Sequence, residues 1–256
     1  MRRVVPARAP LAVRDELASV DPGWGPGPAQ PRLSRGVVHV WRADLHAAGE
    51  EVLSWLSPEE RERAARFARP RTGRLWAHAR GVLRGLLARY VDAEPARLEL
   101  RFDRHGKPAL AARGRPPALS FNLSHSGPVA LYAFSSAAAV GVDVELARLR
   151  RARSIALAAR AFGADEARRL SELEPGARQA EFLRAWTRHE SVLKCVGTGI
   201  GAGQSALARQ APWVAQLELG EVAYAAVAAQ GAASQLCCWS FGAPAEARSG
   251  AGGAGS

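Results

Sequence analysis

What most limits the fold of this chain is the alternation of two hydrophobic periods along it. Residues 73–90 place Leu75, Ala79, Val82, Leu83, Leu86, Leu87 and Tyr90 on one stripe at the helical period. A second helical stretch falls near 178–196. Each is preceded by a strand and shorter helical segments and followed by strands. Residues 37–41 read as a strand. Ser57-Pro58-Glu59-Glu60 then opens a helix over about 58–68, with Ser57 at the N-cap, Pro58 in the first turn and Glu60 at the capping-box position. Residues 98–102 alternate as a strand, and 119–123 with 129–135 read as a strand pair. The pattern starts again with a strand at 140–144, helices near 154–162, 164–173 and 178–196, and strands at 217–219, 222–228 and 235–241. Strand, helices and strands written twice predict an α+β fold of two similar lobes, 35–141 and 142–241. A Pro/Gly/Arg-rich segment, 1–34, is expected to be flexible, with Trp24 as its anchor, and a Gly/Ala/Ser tail, 242–256, to be disordered.

Composition says more about partners than about fold. There are 35 Lys and Arg against 24 Asp and Glu, a formal charge of +11. That favours an anionic partner: nucleic acid, an acidic protein, a polyphosphate ligand or a membrane surface. The arginines are scattered and aromatics few, which argues against nucleic acid. No apolar run reaches transmembrane length, and residues 1–20 lack the apolar region of a secretory signal. Cys195, Cys237 and Cys238 have no Cys-x-x-Cys spacing and predict a reducing, cytoplasmic setting. Only two cationic positions are lysine, Lys107 and Lys194. An ammonium is a compact point charge that a planar guanidinium does not replace, so these two mark segments where the head group matters.

Three clusters carry possible chemistry. Asp143 and Glu145 are i and i+2 on a strand, so both carboxylates face one side. They suit Mg²⁺, which takes one or two carboxylates plus water and phosphate oxygens; the alternative is an exposed acidic strand end. Glu190 and Lys194 are i and i+4 on a helix, either a solvent ion pair or part of a site. Glu190 falls just inside the stripe of Phe182, Trp186, Leu193 and Val196, where a carboxylate needs a partner. Ser124 and His125 are adjacent, so a direct hydrolytic dyad is disfavoured. They read as a turn, either an ordinary hairpin or one that binds phosphate. With the two lysines these groups make a kit for phosphoryl or pyrophosphate chemistry. A metal-dependent nuclease or phosphatase would use the same carboxylates.

Gly106-Lys107-Pro108, the run from Phe121 to Gly127, the run from Val140 to Glu145, and Trp186 to Gly199 together resemble the 4′-phosphopantetheinyl transferases of the larger, surfactin-type class, over roughly residues 60–200. The resemblance implies two pseudo-symmetric lobes, each a small, mainly antiparallel sheet packed with helices, and coenzyme A in the cleft between them. It implies transfer of the phosphopantetheine arm to a serine of an apo acyl or peptidyl carrier protein of fatty-acid, polyketide or nonribosomal-peptide synthesis. Adenosine 3′,5′-bisphosphate would be released. By position, Asp143, Glu145 and Glu190 would hold Mg²⁺, or Mn²⁺ in its place, against the pyrophosphate. Glu190 would take the serine proton. Lys194 and His125 would contact the pyrophosphate. Lys107, with Pro108 beside it, Ser124 and Arg74 would hold the region of the adenosine 3′-phosphate, with Arg80 the competitor to Arg74. Such enzymes are usually monomers and bind neither nucleic acid nor membrane. His189 stands where the family usually has lysine; its place on the apolar stripe favours a buried, neutral imidazole over the alternative, a replacement that titrates near pH 6.5.

Overall fold

Pro70 and Pro175 each open a helix of 22 residues, and these two helices organise the molecule. The structure is a computed structural model that describes residues 19–20, 23–103, 106–111, 119–136, 138–148, 154–197, 212–231, 233 and 235–242. The first half runs β1 (Ser19–Val20), β2 (Gly25–Pro26), β3 (Val37–Asp44), α1 (Glu51–Ser54), α2 (Pro58–Ala65), α3 (Pro70–Val91), β4 (Leu100–Phe102), β5 (Pro108–Leu110), β6 (Leu119–Ser126) and β7 (Val129–Ser136). The second runs β8 (Val140–Leu146), α4 (Ser154–Phe162), α5 (Ala164–Ser171), α6 (Pro175–Val196), β9 (Trp213–Glu218), β10 (Ala223–Ala229) and β11 (Gln235–Ser240).

The architecture is α+β in two lobes built on one plan. One sheet has the order β2-β11-β3-β7-β6, the other β1-β9-β10-β8, and β4 with β5 forms a small ribbon. In each main sheet the opening strand, β3 or β8, pairs antiparallel with the third strand of its lobe, β7 or β10, which pairs with the second. Strand faces alternate. Val38 and Val40 of β3 join Val142 and Val144 of β8 and Ala225 and Val227 of β10 in one apolar core shared by both sheets. The opposite face of the first sheet, with Trp41, Tyr132 and Phe134, packs under Val82, Leu83, Leu86 and Leu87 of α3. Fully burying each of those four contributes roughly 1.5–3 kcal/mol.

The capping box at Ser57 and Glu60 forms as the sequence predicts, with the Ser57 hydroxyl accepting from the Glu60 amide and the Glu60 carboxylate accepting from the Ser57 amide. Both long helices begin three residues before the expected bounds of 73 and 178, because Pro at the first position costs no hydrogen bond there.

Three expectations need correcting. The segment 1–34 is not wholly flexible: β1 pairs parallel with β9, and β2 pairs parallel with β11. The Trp24 indole donates to the Glu218 carbonyl at 3.0 Å, and Arg42 stacks on its ring. The C-terminal lobe does not keep all its strands. β11 pairs parallel with β3 and so completes the N-terminal sheet; with β1 parallel to β9 in the other, both sheets are mixed but mainly antiparallel, as expected. Ser124 and His125 are strand, not turn. They pair with Leu131 and Ala130 of β7, and the hairpin turns at Gly127-Pro128, where Gly127 takes φ +56°. The 242–256 tail beyond Gly242, His105 and Gly199 lie outside the described residues.

Candidate active site

β6 and β8 are the outer strands of their sheets and run side by side. An outer strand leaves amides without ladder partners. Here β6 supplies side chains instead. Asn122 Oδ1 accepts from the Val142 amide at 3.0 Å, and Ser126 Oγ accepts from the Leu146 amide at 3.2 Å. Between them Ser124 Oγ donates to Asp143 Oδ1 at 2.9 Å, and Ser126 Oγ donates to Glu145 Oε2 at 3.1 Å. Asn122, Ser124 and Ser126 are spaced by two, so one strand face carries the whole seam. It fixes both β8 carboxylates before anything binds them.

Helix α6 brings the cation. Gly141 is what lets it approach: a Cβ there would lie 2.1 Å from the Ser191 carbonyl oxygen and 2.4 Å from the Cys195 amide nitrogen. With the helix that close, Lys194 Nζ reaches Asp143 Oδ1 at 2.6 Å and Ser124 Oγ at 3.0 Å. Ser124 thus donates to the carboxylate and accepts from the ammonium, using its one proton and one of its two lone pairs. The Asp143 carboxylate is buried, and its Oδ2 has no hydrogen-bond partner among the described residues. Glu190 lies one turn before Lys194 on the same helix and is half-buried. His125 is the strand neighbour of Ser124, with Nδ1 buried and without a hydrogen-bond partner. Burial pushes its imidazole below the ordinary value; a Gly127 backbone hydrogen bond works against this, and the Lys194 charge adds to the lowering. It is therefore neutral near pH 7, able to accept or donate one bond.

The other expected residues separate. Lys107 Nζ donates to the backbone carbonyl of Lys194 at 2.8 Å, and Pro108 opens β5 beside it. Arg74 is exposed, pairs with Glu50, and lines a cleft of about 270 Å³ with His46, Arg71 and His78. Its competitor Arg80 is buried against Glu60 at 3.5 Å and lies over the Trp76 and Phe102 rings. Among the described residues no three His, Cys, Asp or Glu side chains lie close enough to hold a metal together. Of the three carboxylates expected from the sequence, Asp143 and Glu145 are held on β8 by β6 serines, Glu190 comes from α6, and Lys194 contacts Asp143 Oδ1. The pair on one face of β8, with a buried carboxylate oxygen still without a partner, does fit the one or two acidic ligands that Mg²⁺ takes. His189 lies edge-on to Phe162 and beside Trp186, and burial lowers its pKa. That agrees with a neutral ring. Asn122 and Ser126 were not singled out for a role by sequence; their spacing by two from Ser124 was the available signal.

This geometry can be set beside known proteins. The model for the 4′-phosphopantetheinyl transferase superfamily matches residues 139–235, and the model for the 4′-phosphopantetheinyl transferase N-terminal domain matches residues 40–137. The 4′-phosphopantetheinyl transferase HetI of Nostoc sp. is 35% identical over 181 residues, covering 69% of this chain and 76% of the relative. The chain belongs to the 4′-phosphopantetheinyl transferases. The family member Sfp of Bacillus subtilis is 26% identical over 59% of this chain and 64% of its own length. The family member AcpT of Salmonella typhimurium is 38% identical over 43% and 54%. The two transferase models meet between β7 and β8. No helix among the described residues is long and apolar enough to cross a membrane.

Proposed function

We propose that this transferase moves the 4′-phosphopantetheine arm of coenzyme A onto a serine of an apo acyl or peptidyl carrier protein and releases adenosine 3′,5′-bisphosphate. The observation that carries this reading is the Lys194 ammonium held between Asp143 and Ser124 on the β6–β8 seam. A preorganised cation of this kind stabilises charge on a departing phosphate, because its surroundings need not reorganise as that charge develops.

In the reaction the serine Oγ forms a bond to the β-phosphorus of coenzyme A, and the bond from that phosphorus to the bridging oxygen breaks. The bridging oxygen leaves with adenosine 3′,5′-bisphosphate. Glu190, one turn from Lys194, takes the serine proton directly or through a water, a role that contributes about 10²–10⁴-fold. Lys194 holds the pyrophosphate and the charge that grows on its bridging oxygen. His125, neutral, offers one further bond to the same oxygens. Asp143 and Glu145 would hold Mg²⁺, or Mn²⁺ in its place, which when bound neutralises the pyrophosphate. Arg74, with Arg71 and His78 nearby, suits the adenosine 3′-phosphate. The +11 charge draws an acidic carrier by steering, and the enzyme works as a cytoplasmic monomer without nucleic acid.

The test is mass spectrometry of apo acyl and peptidyl carriers incubated with the protein, coenzyme A and Mg²⁺. We expect a gain of the phosphopantetheine mass together with equimolar adenosine 3′,5′-bisphosphate. No gain on any carrier, with Mg²⁺ or with Mn²⁺, would overturn the reading.

A further inference from the structure

A cleft of about 390 Å³ lies in the first lobe, beside the last turns of α3 and the end of β11. Trp55, Ala88, Pro95 and Phe241 wall it, and Arg89 and Asp92 supply its charges. That volume is at the small end for ligand pockets, which are mostly apolar with a few placed polar groups. None of the groups given a role in transfer lines it.

Arg89 is an unanswered cation. It is half-buried, and its guanidinium lies over the Trp41 and Phe241 rings, 5.3 Å from each centroid. Burial pushes its pKa down, opposed only by the neighbouring Tyr90 phenol. Among the described residues it makes no ion pair and no hydrogen bond. Ring faces offset part of the cost of burying a charge, but they leave five N–H donors without an acceptor oxygen.

The common plan of the lobes says which group is missing. Gly85 and Arg89 hold on α3 the places that Glu190 and Lys194 hold on α6, counted from each opening proline. By register, Trp41 stands on β3 where Asp143 stands on β8. The second lobe meets its cation with a strand carboxylate. The first lobe has the cation, with a ring and a glycine where the acids stand. Gly85 also shapes the cleft: a Cβ there would lie 2.5 Å from Trp55 Cζ3, so its absence lets the Trp55 ring rest on α3. Asp92, exposed on the left-handed cap of α3 at φ +50°, disfavours a second negative charge at the rim.

We propose that this cleft binds a small monocarboxylate with an apolar, ring-sized body, its carboxylate held by the Arg89 fork and its body lying against Trp55 and Phe241. The planar fork suits a carboxylate in two-point contact. The site and the transfer reading are independent of one another.

The probe is 3-phenylpropionate, titrated into the full chain and followed at the Trp55 indole ¹⁵N–¹H resonance, which Trp55→Phe identifies. We expect that resonance to shift with a dissociation constant on the order of 1 mM, unchanged by saturating coenzyme A. Arg89→Met should weaken binding about 10–100-fold. Absence of binding, wild-type affinity in Arg89→Met, or displacement by coenzyme A overturns the proposal. If Arg89→Met does not fold, 3-phenylpropanamide decides on the wild type. It has the same body without the charge, and binding as tight as that of the acid would reduce the cleft to an apolar groove and sink the site. L-Phenylalanine adds an ammonium to the same acid. Tighter binding that Asp92→Asn abolishes assigns the site to free amino acids, and binding no tighter assigns it to simple acids; either supports the site.

Discussion

The two lobes solve the same packing problem with opposite materials. Counting along α3 and α6 from their opening prolines, Arg89 and Lys194 are both the twentieth residue. Asp44 and Leu146 face the first residues of β7 and β10, so His39, Trp41 and Ala43 of β3 correspond to Gly141, Asp143 and Glu145 of β8. At the equivalent place the first lobe puts the Arg89 guanidinium over the Trp41 ring at 5.3 Å, and the second puts the Lys194 ammonium on the Asp143 carboxylate. The strand residue below decides which. In the first lobe the space beside β3 holds rings: Tyr90 accepts from the Trp41 indole at 2.9 Å and shares a hydrogen bond with His39 Nδ1, and Trp239 lies edge-on to His39. There α3 stands off its sheet, whereas α6 lies close along β8 and β10, over Gly141. Rings fill a lobe and stabilise it. A glycine lowers a helix until charged groups meet, which stabilises less and makes a site.

The sharpest way to break this comparison is to remove one charge from each lobe. Lys194→Met should lower transfer by about 10³-fold, roughly 4 kcal/mol of barrier, and lower the melting temperature too, because the buried Asp143 carboxylate loses its cation. If activity survived, the pair in the second lobe would be packing, as in the first. Next in size is Gly141→Ala. Its methyl meets backbone rather than a yielding side chain, so it should cost about 3 kcal/mol in denaturant unfolding and carry Lys194 off Asp143. A variant with wild-type stability and rate would mean α6 is not seated on that glycine.

The first lobe answers to pH. Burial holds the His39 imidazole down to about 4, so the unfolded chain binds a proton that the folded one refuses. Stability is complete above about pH 6.5 and is lost as pH falls from there toward 4, by about 3 kcal/mol in all. In His39→Phe the drop in unfolding free energy between pH 7 and pH 4.5 should shrink by about 2–3 kcal/mol, and an unchanged drop would place the ring in solvent. The smallest effect is Arg89→Met: about 1 kcal/mol of stability with kcat unaltered, measured beside Lys194→Met.

Much of the site was legible because its residues obey local periods. Asp143 and Glu145 are two apart on a strand, and Glu190 and Lys194 are four apart on a helix, so each pair's shared side follows from the sequence. The seam was not. Asn122 and Ser126 matter only because two sheet edges meet, and nothing near them in sequence announces β8. The partner of Lys107 was hidden for the same reason, since it is a carbonyl of α6 87 residues away. Arg80 and Arg74 share one arginine-rich helix. Glu60, which caps α2 and pairs with Arg84 at 2.6 Å, also lies 3.5 Å from Arg80, a contact that the sequence does not announce. The short elements β1, β2, α1 and β5 carry no period of their own and exist by docking on what surrounds them.

The parallel pairing of β11 with β3 sets a schedule for synthesis. On a ribosome, β3 emerges early, yet its neighbour arrives only when about 190 more residues have been added, from 44 to 235. At about 5–20 residues per second that is roughly 10–40 s, during which one margin of the first sheet stands ready to accept a wrong strand. That margin of β3 therefore waits for its native neighbour for as long as the second lobe is being made.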